Sequence, residues 1–267
     1  MKNRVLFQLS RNLLRRNERF KDIHKGESCY IIGNGISIKD MDLKRLGDKI
    51  SIGCGYLFLH NEFDALNAKY YAEMEPFWFY RYWKSRVDGK WEINRNSEMQ
   101  KQVLKQYPDL NFFTSLSNRF AISGNHVYYM HHFDAPTFNA NTFDMAGVFY
   151  FRSLMYAMIG MAIYMGFEKA YLIGCDYTFS PQRVLHFYEK GHGKTQVNDT
   201  HLADFFRVAQ EQIDLVTVTT NGGISKTLKY IDYRDLTGVD AVFRENTELV
   251  KKEYLDVLAD YHDYLVY

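Results

Sequence analysis

Two short apolar runs, each stopped by glycine, constrain this chain most: SCYIIG at 28–33 and KAYLIG at 169–174. A continuous apolar run of that length ending in a glycine turn marks a buried strand. The second run follows a nearly all-apolar segment, Ser153 to Met165, which reads as a buried helix. Further runs at 49–54, 68–74, 127–131 and 215–220 read as strands, and 38–46 and 202–213 carry helical periodicity. Strands alternating with helices at this spacing predict an α/β fold, a Rossmann-like, doubly wound, mainly parallel sheet. Residues 89–106 turn polar and charged and predict a peripheral helical excursion, whereas 78–83 is aromatic and fits a pocket wall or core. The polar stretch 180–200 has no periodicity and reads as a mobile lid loop.

At 267 residues the chain suits one large core. Three parts are expected: a basic amphipathic N-terminal helix at 1–25, an α/β domain at 26–238 that includes the lid 180–200, and a C-terminal helical tail at 239–267. In the tail, Tyr254, Leu255, Val257, Leu258, Tyr261, Tyr264 and Leu265 recur at helical spacing, a packing face or one for a homo-oligomer. A net charge of +1 excludes a nucleic-acid binder driven by bulk electrostatics. Charge is nevertheless uneven, with Lys2, Arg4, Arg11, Arg15, Arg16, Arg19, Lys21 and Lys25 against Glu18 and Asp22 in the first 25 residues. Val5, Leu6, Leu9, Leu13 and Leu14 interleave with them, so the segment suits either an anionic membrane surface or its own domain. No stretch approaches the ~20 apolar residues that span a bilayer. Cys29, Cys54 and Cys175 lack metal-ligand spacing and suit a reducing cytoplasm.

In a doubly wound sheet, ligands bind beyond the carboxyl ends of the strands. Four such places carry polar groups. Gly33-Asn34-Gly35-Ile36-Ser37 follows the first strand, where glycines would let the backbone approach a phosphate and a helix N-terminus would favour an anion, or Asn34 and Ser37 would merely turn and cap. Glu75, in Ala72-Glu73-Met74-Glu75-Pro76, could orient a sugar hydroxyl or stay solvated. Asp176, Tyr177 and Thr178 follow the strand at 169–174. Asn221 and Gly222, with Ser225, offer an amide and backbone donors at what reads as a helix entry. Arg152 and Ser153 open the apolar helix as an anion clamp or as a surface arginine beside an N-cap. His192, between Gly191 and Gly193, is a general-base candidate able to swing from the lid. The chain lacks the G-x-x-x-x-G-K-[ST], G-x-G-x-x-G and G-x-S-x-G patterns, and Asp40-Met41-Asp42 matches D-x-D only by letter. Metal-independent chemistry is expected, with no cofactor.

Short motifs between about Ser28 and Tyr230 resemble the bacterial sialyltransferases that use CMP-sialic acid without a metal, and the related domain of motility accessory factors. Gly33-Asn34-Gly35-Ile36-Ser37 is similar to their opening loop. Ala162 to Tyr177 resembles the end of their central helix, the strand after it and a Gly-x-Asp-aromatic motif. Gly191-His192-Gly193-Lys194 looks like the Gly-His-Ser-Lys of their lid, and Asn221-Gly222 like their later strand end. The resemblance implies a GT-A-like variant of the fold, with Asn34, Ser153 and Asn221 on the nucleotide and Arg152 near the donor's charges. It also implies His192 as general base and tyrosines such as Tyr177 assisting the departing phosphate. Cys54 or Gly55, Glu75 and Thr178 stand where the family carries other residues, which leaves the acidic sugar open between sialic acid, Kdo and similar. Bacterial lipopolysaccharide or capsule synthesis, at the inner face of the cytoplasmic membrane, is the expected setting, with a glycan or glycolipid acceptor. A pterin pyrophosphokinase-like enzyme and a non-catalytic scaffold of polysaccharide assembly are the alternatives.

Overall fold

The computed structural model describes residues 10–84, 89–131, 143–147, 149, 153–196 and 203–259. Its strands are β1 (Ser28–Ile32), β2 (Ile50–Cys54), β3 (Asn67–Glu73), β4 (Tyr82–Lys84), β5 (Trp91–Ile93) and β6 (Asn111–Ser115), then β7 (Val127–Met130), β8 (Lys169–Ile173), β9 (Gln182–Val184), β10 (Lys194–Gln196), β11 (Asp214–Thr219) and β12 (Lys229–Asp232). Eight of them form one sheet in the order β12-β11-β8-β1-β2-β3-β6-β7. Every pairing in it is parallel. From β1 the chain steps outward through β2, β3, β6 and β7, then crosses back to β8 on the other side of β1 and continues outward through β11 and β12. The α/β, doubly wound parallel reading therefore holds, and the direction of winding reverses between β1 and β8.

Helices are α1 (residues 10–15 as described), α2 (Arg95–Gln106), α3 (Leu154–Met165), α4 (Ala203–Ala209), α5 (Tyr233–Thr237), α6 (Asn246–Leu249) and α7 (Lys252–Ala259). One face of the sheet buries Ile31, Ile52 and Leu172 under α3, itself buried almost all round. The other buries Ile32, Tyr71, Ile173 and Val218 with Leu46, Phe58, Tyr233 and Tyr254. Each wholly buried Ile or Leu contributes ~1.5–3 kcal/mol, so the middle strands are the rigid part of the molecule. Helix α3 starts at Ser153, whose Oγ accepts from Tyr156 N at 3.4 Å, and stops at Gly166, left-handed at φ 83°.

Several local readings change. The segment 38–46 is two 3₁₀ turns, Ile36–Asp40 and Leu43–Leu46, instead of one α-helix. No helix follows Asn221-Gly222; the chain turns there and runs into β12. The stretch 180–200 is not structureless: β9 and β10 pair antiparallel within it. Excursion 89–106 holds β5, which pairs with β4, and α2. At the N-terminus Leu14 and Phe20 are buried and Asn17 Nδ2 donates to Tyr129 O and Met145 O, so α1 and the turn after it pack on their own domain. Among the described residues no helix is long and apolar enough to cross a membrane.

Candidate functional site

Where β1 and β8 part, their following loops lock together through glycine. Gly33 N donates to Ile173 O and Gly35 N to Gly174 O, both at 2.8 Å. A Cβ on Gly33 would lie 2.5 Å from Gly174 O, and one on Gly35 2.6 Å from both Gly174 O and Asp176 Cγ. The glycines are thus required by the approach of one loop to the other. Ile36 N donates to Leu185 O at 3.1 Å and Ser37 N to Asp176 Oδ2 at 3.0 Å. These four donors are spent inside the protein, and the turn after them is only five residues long. A phosphate cradle built from the backbone of this loop, with a helix N-terminus behind it, is not what the sequence folds into.

Asp176 is the pin of that junction. Both carboxylate oxygens accept from Ser37, one from its backbone N and one from its Oγ. Burial pushes its pKa up to about 6, opposed by the two Ser37 hydrogen bonds. Thr178 is also internal, donating to Cys175 O and meeting Thr217 Oγ1. Tyr177, between them, is 48% exposed at the carboxyl end of β8.

Asn34 remains. Its Nδ2 donates to Cys54 O at 3.1 Å and to Cys54 Sγ at 3.3 Å, which fixes the amide, and its Oδ1 is buried with no partner. Gly55 is left-handed at φ 56°, and a Cβ there would meet Asn34 Nδ2 at 2.7 Å and Leu154 Cδ1 at 3.7 Å. Asn34 and Leu154, in the first turn of α3, therefore meet at Gly55, where β2 ends. An orphaned acceptor close to the N-terminus of a twelve-residue helix can take a hydroxyl or amine donor while the helix end attracts an anion. Cys54 itself is buried with its thiol pKa raised by burial, so it packs at this junction without reacting. Arg152, the other half of the expected clamp, lies outside the described residues.

At the end of β3 the exposed carboxylate is Glu75 and the buried one is Glu73. Glu73 accepts from Glu75 N and from Gln100 Nε2, and burial raises its pKa to about 7. On the other side of β1 a second polar group forms around Asp40, which accepts from Arg183, from Asn221 Nδ2 at 3.2 Å and from Thr220 Oγ1 at 3.4 Å. Desolvation raises the Asp40 pKa against the pull of Arg183. Asn221, left-handed at φ 56°, is engaged with Asp40, and Gly222 beside it stands in open space. Asp42 caps its own turn by accepting from Lys44 N, so the D-x-D letters divide between two separate structural tasks. His192 is exposed near this group with its ring on Phe243. Sequence reasoning missed Lys39, Arg183, Phe243 and Glu245, whose surroundings come from distant segments; Glu73 lies in the stretch 72–76 that it singled out, with Glu75 as the candidate.

The hairpin β9–β10 and the residues between its strands lie over the Gly33–Ser37 loop. Gly35 bridges His186, and Phe187 N donates to Asn34 O at 3.0 Å. Two concavities, of about 450 and 540 Å3, open instead at the amino ends of β8, β11 and β12 and of β3 and β6. Among the described residues no three His, Cys, Asp or Glu side chains come together to hold a metal.

No family model and no curated protein matches the chain. Among solved structures it is similar to the sialyltransferase CstII from Campylobacter jejuni in complex with the substrate analogue CMP-3FNeuAc, at 13% identity over 87% of this chain and 99% of that one, TM-score 0.43. A variant of the same enzyme in complex with CMP gives 14% identity, 87% and 98% coverage and a TM-score of 0.42. At this identity and overlap, the likeness assigns neither a donor nor a site residue to this chain.

Proposed function

We propose that the chain is a glycosyltransferase that moves an acidic sugar, sialic acid or Kdo or similar, from a CMP-activated donor to a surface-glycan acceptor, without a metal. The observation that carries this reading is the junction at the switch point, where Asn34, its Oδ1 unpartnered, meets Leu154 in the first turn of α3 across Gly55. A nucleotide supplies both of the groups such a junction lacks: hydroxyl or amine donors for the oxygen and a phosphate for the helix end. In this reading His192 takes the acceptor's proton as its oxygen attacks the anomeric carbon, the glycosidic bond to phosphate breaks, and CMP departs with the bonding electrons. In the same reading Tyr177, half exposed where β8 ends, donates to the leaving phosphate. The exposed arginines 11, 15, 16 and 19 would give the protein electrostatic contact with an anionic inner-membrane surface, where such acceptors are made.

A thermal-shift comparison of CMP, UDP, GDP and ATP tests the donor. CMP at ~100 times its Kd should add about 2.7 kcal/mol and raise Tm by several degrees, with the others weaker. Stabilisation by another nucleotide and not by CMP would overturn the assignment. Full transfer activity in His192→Ala would remove the base.

A further inference from the structure

The sequence suggests a histidine free to swing between two glycines, yet the residues on both sides of His192 are held. Lys39, wholly buried, donates from Nζ to Gly191 O at 2.7 Å, while Gly191 N donates to Glu245 Oε2 at 3.3 Å. Lys39 Nζ also reaches Glu245 Oε2 at 3.3 Å, closing the grip on that peptide. Gly193 is pressed so close to β9 that a Cβ there would lie 2.4 Å from Val184 O. Between these anchors the imidazole of His192 stacks on Phe243, ring centroids 3.9 Å apart and planes 23° apart. Phe243 is equally fixed. Val242 N donates to Asp40 O and Arg244 N to Lys39 O, both at 2.8 Å, and the Arg244 guanidinium donates to Glu62 Oε1 at 2.6 Å.

Two features make this stack more than packing. His192 is exposed, and an exposed imidazole ordinarily samples several rotamers. The contact is face to face, so both ring nitrogens, which lie in the plane of the ring, stay clear of the phenyl group. A base must meet its proton within hydrogen-bond reach, and a misplacement of about 1 Å can cost on the order of 100-fold in rate. We propose that Phe243 is a positioning residue, delivered by the strut 242–245, whose ring holds the His192 imidazole by its face and leaves its nitrogen edge to the acceptor hydroxyl. This rests on the reading of His192 as general base.

The test compares Phe243→Leu, Phe243→Tyr and His192→Ala in the full chain. Proton NMR of the His192 ring, assigned by its loss in His192→Ala, should show an upfield ring-current shift that persists in Phe243→Tyr and disappears in Phe243→Leu. Transfer from a CMP-sugar should fall about 10- to 100-fold in kcat in Phe243→Leu, with donor KM unchanged, and recover in Phe243→Tyr. An unchanged His192 shift in Phe243→Leu would refute the stack. Unchanged kcat in Phe243→Leu, with His192→Ala inactive, would refute positioning while sparing the base. Full activity in His192→Ala would refute both, a result distinct from the other two.

Discussion

Gly35 has φ −60° and ψ 155°, a backbone conformation any residue adopts, so what bars a side chain there is space. Gly35→Ala should cost about 1–3 kcal/mol in urea unfolding, because the atoms in the way are a backbone carbonyl and the pinned Asp176 carboxylate, neither able to give. Gly222 is the opposite case, with nothing within 4 Å of a Cβ but φ 74°. Its alanine variant should lose only about 1 kcal/mol, from backbone strain alone. Asp176 gives the residue scale its pH signature. With its pKa pushed up to about 6, the folded state holds this proton more tightly than the unfolded state. Its contribution is therefore full below the ordinary carboxylate range and is lost as pH rises toward and through 6. Asp176→Asn can still accept from Ser37 N and donate to Ser37 Oγ. Its unfolding free energy should fall less than that of the unchanged protein between about pH 4 and 7, by up to ~3 kcal/mol. Equal slopes in that window would show that the carboxyl is not the group responsible.

Between residue and fold stands the hairpin β9–β10 with the chain that joins its strands. Phe187 is wholly buried, its ring 5.4 Å from those of His60 and Tyr188. Phe187→Ala should cost about 3–5 kcal/mol and open residues 180–196 to protease, with little change if the segment were held by its ends alone. This element also shows where sequence patterns stop being legible. Strands β1, β2, β7, β8 and β11 were readable because burial on both sheet faces writes a largely apolar run into the chain, and β3 because its last four residues are buried. Strand β12, KYID, sits at the sheet edge, exposed or half-buried throughout, and leaves no such run. The periodicity at 38–46 was real, since Ile38, Leu43 and Leu46 are all buried, but two short 3₁₀ turns satisfy it as well as an α-helix would. In the site, Asn34 and Asp176 could be found from their place after strands. The partners of His192 could not: Lys39 lies 152 residues from Gly191, and only the folded chain brings Phe243 beneath the imidazole.

For the whole molecule, the reversal of winding between β1 and β8 decides which end of the sheet can bind. The loops after β1 and β8 interlock, but the elements they lead to pack on opposite faces, the turns at 36–46 with Ile32 and Val218 and α4 with Leu172, and a sheet wound this way binds at its carboxyl ends. Two hollows lie at the other end, lined by residues such as Gln212, Asp214 and Lys229 or Phe63, Tyr107 and Asn111. In the first, Lys229 already donates to Asp214 at 2.6 Å, and in the second Tyr107 donates to Asp64 at 2.6 Å, so these polar groups are engaged with each other. At the carboxyl end Asn34 Oδ1 is buried and unmatched. Hydrogen exchange with and without CMP separates the two ends directly. Slowed exchange is expected in 33–37, 54–56, 153–156 and 183–193, with no change in 63–69, 106–111 or 210–215. Protection confined to the amino-end segments would place the ligand in a hollow that the winding of the sheet does not create, and the switch-point site would fall with it.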